Sequence, residues 1–239
     1  MAILQSMKRI AWFRKNHKWL ALIAGFQILI WSVSGLYMSF VDLDIIHGDH
    51  LIDESKLTQP KLIDANAVVP ISQSLLRELS PTSVTLTNHF GRAFYQIDYG
   101  KESVIVDSLT GDKAQDIPKN QIREIASQIY AGNAAISQIE LLATYPSELW
   151  GKKEPIWRVS YHDLLDSALY FHYQTGQLIS KRTDLWRTFD FLWQLHIIEY
   201  LGFGGYEGLL FRIVSLVSLA MALFGFILLF YRLKPEHKQ

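Results

Sequence analysis

The chain has 239 residues, with 23 basic and 23 acidic side chains, eight histidines and no cysteine. The missing thiols exclude disulfides, covalently attached c-type haem, thiolate zinc and Cys-ligated iron–sulfur clusters, so any metal must be held by His or carboxylates. The zero net charge hides an asymmetry: residues 42–208 carry 14 basic and 22 acidic side chains, a net of 14 − 22 = −8, while both ends are basic, which argues against nucleic acid as a partner.

In chain order, residues 1–18 hold Lys8, Arg9, Arg14, Lys15 and Lys18, and the 23 residues from Trp19 to Val41 then carry no charge. As a helix that run is about 34 Å long, against a hydrocarbon core of ~30 Å, and predicts a transmembrane helix over 19–41. It is longer than the apolar stretch of a signal peptide and ends in Tyr37, Met38 and Phe40 rather than at a small-x-small cleavage site, so it reads as a span that is kept. A second charge-free run, Ile213 to Tyr231, predicts a span within 209–231, and Arg232, Lys234 and Lys238 follow it. The segment VDLDIIHGDH just past the first span has no Lys or Arg. The positive-inside rule then puts residues 1–18 and 232–239 in the cytoplasm and 42–208 outside, giving a two-pass protein of a bacterial inner membrane with the lipid bilayer as its first partner.

Between the spans, a helix followed by strands is predicted twice, over about 66–117 and 118–183. The first copy opens with ISQSLLREL, whose Ile71, Leu75, Leu76 and Leu79 share one helical face before Pro81 stops it. FYQIDY and SVIVD read as strands around the Gly100-Lys101 turn, and Leu109-Thr110-Gly111-Asp112 closes the unit. The second copy opens with NQIREIASQIYAG, where Ile122, Ile125, Ala126 and Ile129 repeat the stripe; IELLATY, IWRVSYH and SALYFHY read as strands, and Thr175-Gly176 closes the unit. Thr110 and Thr175 lie 65 residues apart, which is self-similarity at the scale of a whole helix-plus-sheet unit. A further helix, about 184–201, is predicted to lie at the membrane interface.

Each unit resembles a PepSY module, whose signature ends in Asp-x-x-Thr-Gly-x-hydrophobic. VIVDSLTGDKA follows it closely, and YFHYQTGQLI follows it except that His172 stands where Asp107 stands in the first copy. The first span, FRKNHKWLALIAGFQILIWSVSGLYMSF, is similar to the opening helix of PepSY-associated membrane proteins, as are the Leu195-His196 pair and the last helix ending in FGFILLFYR. The resemblance implies an α+β fold: tandem PepSY-like helix-plus-antiparallel-sheet units in an extracytoplasmic domain flanked by two transmembrane helices. It implies a non-enzymatic accessory, binding or regulatory module of the cell envelope. Larger members that resemble ferric-siderophore reductases leave open an alternative, a haem b-binding transmembrane electron-transfer or ferric-reductase-related subunit.

Two histidines are the candidate haem ligands. His17, in RKNHKW at the inner edge of the first span, reads either as an interfacial anchor or as an axial ligand. His196 follows Trp186, Phe189 and Trp193 at helical spacing, with Tyr200 after it, and reads either as part of an aromatic belt or as a ligand. The two lie on opposite membrane faces, so one haem between them requires a homodimer that pairs each histidine with its mate. DLDIIHGDH offers His47 and His50 as metal ligands, with Glu199 three residues after His196; the competing reading is a solvated acidic loop. Gly-x-Ser-x-Gly, His-Glu-x-x-His and phosphate-cradling Gly-Lys-Ser/Thr motifs are absent from the sequence. Ala21 with Gly25 and Ser218 with Ala222 stand at small-xxx-small spacing, which suits an intrachain helix pair, a homodimer, or contact with another membrane or periplasmic protein.

Overall fold

A computed structural model of the chain describes residues 2–57, 67–149, 153–197 and 207–233. The fold is α+β, with two antiparallel sheets and a long apolar helix toward each end of the chain. It divides into two compact units, one of residues 1–42 and 188–239, the other of 43–187.

The first unit is built on α1 (Ala2–Phe40) and α7 (Glu207–Leu233), joined by the later part of α6 (Asp184–Ile197). The stretches Ala11–Phe40 and Phe211–Arg232 are long and apolar enough to cross a membrane. The two helices run antiparallel: Phe13 meets Phe224 edge-on at 5.2 Å and Trp31 meets Phe211 at 5.9 Å. Their burial is inverted relative to a helix pair in water. Ala24 and Ser34 are fully buried and Gln27 is 7% exposed, whereas Leu22 is 67% and Phe226 71% exposed. Positions 24, 27 and 34 fall on one helical face, so small and polar residues face inward and large apolar ones outward.

The second unit holds both sheets. β1 (Ser83–His89), β2 (Arg92–Tyr99) and β3 (Glu102–Asp107) form a meander that follows α4 (Gln73–Leu79). β2 and β3 are the strands read from FYQIDY and SVIVD; β1 is a strand that the sequence reading did not contain. Ile71, Leu75, Leu76 and Leu79 are half-buried beside exposed neighbours, the one-sided pattern their spacing predicts. The second sheet has the order β4 (Ile136–Leu142), β5 (Ile156–Tyr161), β6 (Ala168–His172), β7 (Leu178–Arg182); β7 is also absent from the sequence reading, and it makes Thr175-Gly176 a hairpin turn rather than the end of the unit. It packs on α5 (Lys119–Ile129), whose Ile122, Ile125, Ala126 and Ile129 are all buried against Ile139, Trp157, Val159, Tyr161, Leu169 and Phe171.

The other face of this sheet is covered too. Tyr145, Ile156, Ala168 and Tyr170 form a small cluster with Leu142 and Leu149. Glu148 pins that cover: it accepts the Tyr170 hydroxyl and the Arg187 Nε at 3.0 Å, while Arg182 donates to its carbonyl at 3.1 and 3.2 Å.

Candidate functional site

The two sheets share a turn of one build, which follows β3 in the first and joins β6 to β7 in the second. In the first, the Gly111 N–H donates to the Asp107 carbonyl at 2.9 Å, the Asp107 N–H to the Asp112 carbonyl at 2.9 Å, and the Leu109 N–H to the Asp107 carboxylate at 2.9 Å. In the second, the Gly176 N–H donates to the His172 carbonyl at 3.0 Å, the His172 N–H to the Gln177 carbonyl at 2.8 Å, and the N–H groups of Gln174 and Thr175 to His172 Nδ1 at 3.2 Å each. Thr110 Oγ1 and Thr175 Oγ1 each accept the N–H two residues on, at 3.3 and 3.2 Å. Gly111 and Gly176 sit at φ +77° and +72°, the left-handed conformation that only glycine adopts without strain. Two sequences that differ at the key acceptor therefore build one turn. An imidazole accepting two N–H groups at Nδ1 must carry its own proton on Nε2.

Beside the core of the second sheet, an open cleft of about 390 Å³ lies between the end of α5 and the start of β4, lined by Arg123, Tyr130, Asn133 and Tyr161 among others. Its aromatic wall is rigid. Tyr130 stacks on Tyr161 at 3.8 Å, the Tyr130 hydroxyl donates to Asp163 at 3.2 Å, and the Tyr161 hydroxyl donates to the Ala126 carbonyl at 3.3 Å. Burial, reinforced by the Asp163 carboxylate, pushes the Tyr130 phenol up to about 12, so it remains a neutral donor across physiological pH.

The two candidate haem ligands are both held inside the first unit. His17 Nδ1 lies 3.2 Å from the Met221 carbonyl oxygen of α7, and a carbonyl can only accept, so Nδ1 carries the proton. A Cβ on Gly225 would come within 3.3 Å of the His17 ring, so the glycine makes room for the imidazole. His196 Nδ1 lies 2.8 Å from Ser34 Oγ, which itself donates to the Ile30 carbonyl at 2.8 Å. If the serine proton is used there, His196 Nδ1 is the donor; if the serine donates to Nδ1 instead, the ring carries its proton on Nε2. Trp31 completes this corner, its indole N–H bonding the His196 carbonyl at 2.7 Å. In His17, and in His196 when Nδ1 donates, Nε2 is the nitrogen with the lone pair, the arrangement found in imidazoles that bind metals. The two histidines are not neighbours: His196 meets Ser34 on α1, and 34 − 17 = 17 residues of helix put about 25 Å between the two levels.

The segment after α1 is not a solvated loop. α2 (Leu43–His47), a short 3-10 turn (Asp49–Leu51) and α3 (Glu54–Leu57) follow one another here; Ile46, Leu51 and Ile52 are buried, and Leu51 and Ile52 join the core beneath the second sheet. The Ala131 N–H donates to the Leu51 carbonyl and the Asp53 N–H to the Ile129 carbonyl, both at 2.9 Å, tying the segment to the end of α5. Within it His47 packs on the Trp186 ring at 5.3 Å, and His50 is exposed. Asp49 accepts the Lys181 ammonium at 2.5 Å, and that bond holds its carboxyl below the usual range. Among the described residues no group of three or more His, Asp or Glu side chains is placed to hold a metal ion. Glu199, the remaining candidate, and Tyr200 lie outside the described residues.

Ser34, Gln27 and Trp31 were not singled out from the sequence. The signal was there, since a Gln and several Ser inside a charge-free run of helix are polar groups in need of partners; Ser34 has one in His196, whereas Gln27 Nε2 is buried without a hydrogen bond. No family model, no curated protein and no solved structure matches this chain.

Proposed function

We propose that the chain is a two-pass protein of a bacterial inner membrane, with both termini in the cytoplasm and a tandem PepSY-like domain in the periplasm that acts as a non-enzymatic binding or regulatory module. The observation that carries the PepSY reading is the repeated turn: Asp107, Thr110 and Gly111 share one hydrogen-bond pattern with His172, Thr175 and Gly176, after β3 in the first sheet and between β6 and β7 in the second, and each sheet follows a helix. The inverted burial of α1 and α7 supports the membrane reading, because polar groups turned inward and Leu and Phe turned outward suit hydrocarbon and not water. The aromatic cleft lined by Tyr130 and Tyr161 is the surface this reading assigns to the ligand. The test is an assay of the purified full chain, from haem-replete cells, against ferric chelates. Turnover with a bound redox cofactor would overturn the proposal.

One observation favours a second reading, a haem b electron-transfer subunit: His17 and His196 both have Nδ1 in a hydrogen bond, at 3.2 and 2.8 Å, which is the nitrogen that a ring ligating through Nε2 uses for support. The residues fit single axial ligands at two levels and do not fit a bis-histidine clamp within one chain, so this reading requires the matching histidine of a second copy. Haem would supply one-electron chemistry there. A positive pyridine haemochrome assay, lost in His17→Ala or His196→Ala, would establish it.

A further inference from the structure

A cleft of about 420 Å³ opens beside α1 and α7 at the end where the chain's basic residues gather, lined by Arg14, Gly225, Leu228, Leu229, Tyr231 and Arg232. Its chemistry is split: two guanidiniums stand with two leucines and a phenol. The acidic residue nearest to either arginine in sequence is Glu236, four positions after Arg232 and outside the described residues. No Asp or Glu occurs from Met1 to Val41 or from Gly208 to Pro235. Among the described residues no ion pair involves Arg14 or Arg232. Two guanidiniums sharing one concave surface repel each other, an anion between them relieves that repulsion, and a guanidinium fork matches the oxygens of a phosphate ester. The apolar part continues along α7, where Leu229 is half-exposed and Phe226 and Phe230 are strongly exposed. Trp12 and Tyr231, both exposed, mark this as the level where amphipathic rings settle among lipid headgroups.

We propose that this cleft binds the phosphate of an anionic phospholipid from the cytoplasmic leaflet, the phosphodiester between Arg14 and Arg232 and the acyl chains along Leu228 and Leu229. The proposal rests on the membrane reading above. A free phosphate ester offers the same oxygens but has nothing to lay along the leucines, so the committed ligand is the lipid.

The experiment uses the full-length chain in detergent, with retention of palmitoyl-oleoyl-phosphatidylglycerol compared against the phosphatidylcholine analogue by native mass spectrometry. A basic residue at a membrane surface is worth about fivefold in affinity for anionic lipid. The wild-type chain should prefer phosphatidylglycerol by roughly 25-fold, Arg14→Gln and Arg232→Gln should each lower that by about fivefold, and the double variant should show no preference. Arg14→Lys with Arg232→Lys should keep most of it, and Arg212→Gln, which removes the same charge near the opposite end of α7, should leave it intact. Equal retention of the two lipids by the wild type, or a preference that survives in the double Gln variant, overturns the proposal. So does displacement of the lipid by millimolar glycerol 3-phosphate, which would make this a site for soluble phosphate esters. Carbonate extraction of membranes is the separate test of the membrane reading: a chain released by carbonate sinks that reading whatever its lipid preference.

Discussion

His172 does in the second sheet what Asp107 does in the first: each side chain accepts a backbone N–H of the turn that follows it, Leu109 for the aspartate, Gln174 and Thr175 for the histidine. The identity of the acceptor matters less than its position. His172→Asp should therefore be close to neutral, within about 1 kcal/mol, because a carboxylate accepts the same donors. His172→Leu leaves two N–H groups without that acceptor and should cost about 1–3 kcal/mol. Chemical denaturation of both variants checks this; a leucine variant as stable as the aspartate variant would show that the turn does not need the acceptor.

The two turn glycines should differ in what they tolerate. Both adopt a left-handed φ, so Gly→Ala costs about 1–2 kcal/mol at either from backbone strain. At Gly111 the added Cβ would lie 3.7 Å from the nearest side-chain atom, whereas at Gly176 it would stand 2.8 Å from Ile125 Cδ1 and 3.0 Å from Ile117 Cδ1. Both isoleucines are buried in the α5 core, so overpacking adds about 1–3 kcal/mol there. Gly176→Ala should be the more damaging change, and equal melting temperatures for the two variants would contradict the packing argument.

The contrast between these turns and the rest of the second unit shows what local sequence carries. Thr-Gly turns, the Gly100 hairpin and the α5 stripe are local, so their residues announce them. β1 escaped because its turn is Phe90-Gly91, both at positive φ, and a phenylalanine in that conformation is not a turn signal. The docking of residues 43–52 escaped because Ile46, Leu51 and Ile52 are isolated apolar residues among acids, with no period to count. The burial of Leu51 and Ile52 is decided by α5 and the second sheet, more than 60 residues away in the chain. The Ser34–His196 bond is likewise a product of tertiary structure; the sequence shows only that each residue is polar in an apolar setting.

His89 makes part of the stability of the first sheet depend on pH. It is half-buried at the end of β1, and that burial lowers its pKa below the ordinary 6.5. The folded state then binds a proton less readily than the unfolded chain. Stability is complete above the unfolded value and is lost as pH falls from about 6.5 through the depressed folded value. His89→Gln should flatten the dependence of melting temperature on pH in that window relative to wild type. An unchanged slope would assign the dependence to another group.

Glu148 tests whether the cover over the second sheet is held by charge. Its carboxylate joins the Tyr170 hydroxyl to the Arg187 guanidinium, and both ion-pair partners are mostly buried, at 22% and 27% side-chain exposure. Glu148→Gln keeps the shape and removes the charge, leaving Arg187 with the more exposed Asp166 and Asp184. A loss of about 1–3 kcal/mol is expected from weakening charge-assisted bonds at this burial. Arg187→Gln should produce a similar loss, and the double variant should lose less than the sum, since the two changes remove one interaction. Strict additivity would show that the pair is incidental.

The Ser34–His196 contact gives the test that separates the two functional readings through one pair of residues. Ser34 is fully buried and bonded to His196 at 2.8 Å, so His196 is part of the helix packing and not only an outward-facing aromatic anchor. Hydrogen bonds between membrane helices contribute about 0.6 kcal/mol on average and at most about 1.7 in double-mutant cycles. A cycle of Ser34→Ala and His196→Ala, followed by unfolding in mixed micelles, should return a coupling energy in that range. If the bond is structural, all three variants should have the same visible absorbance as wild type, because no ligand to a chromophore has been removed. If His196 also ligates haem through Nε2, His196→Ala should lose absorbance outright, and Ser34→Ala should keep the haem but weaken or shift its spectrum, since the serine fixes the orientation of the ring and supports Nδ1. A coupling energy near zero, with unchanged spectra throughout, would remove His196 from both accounts and leave Trp31 as the residue that holds this corner of α6 to α1.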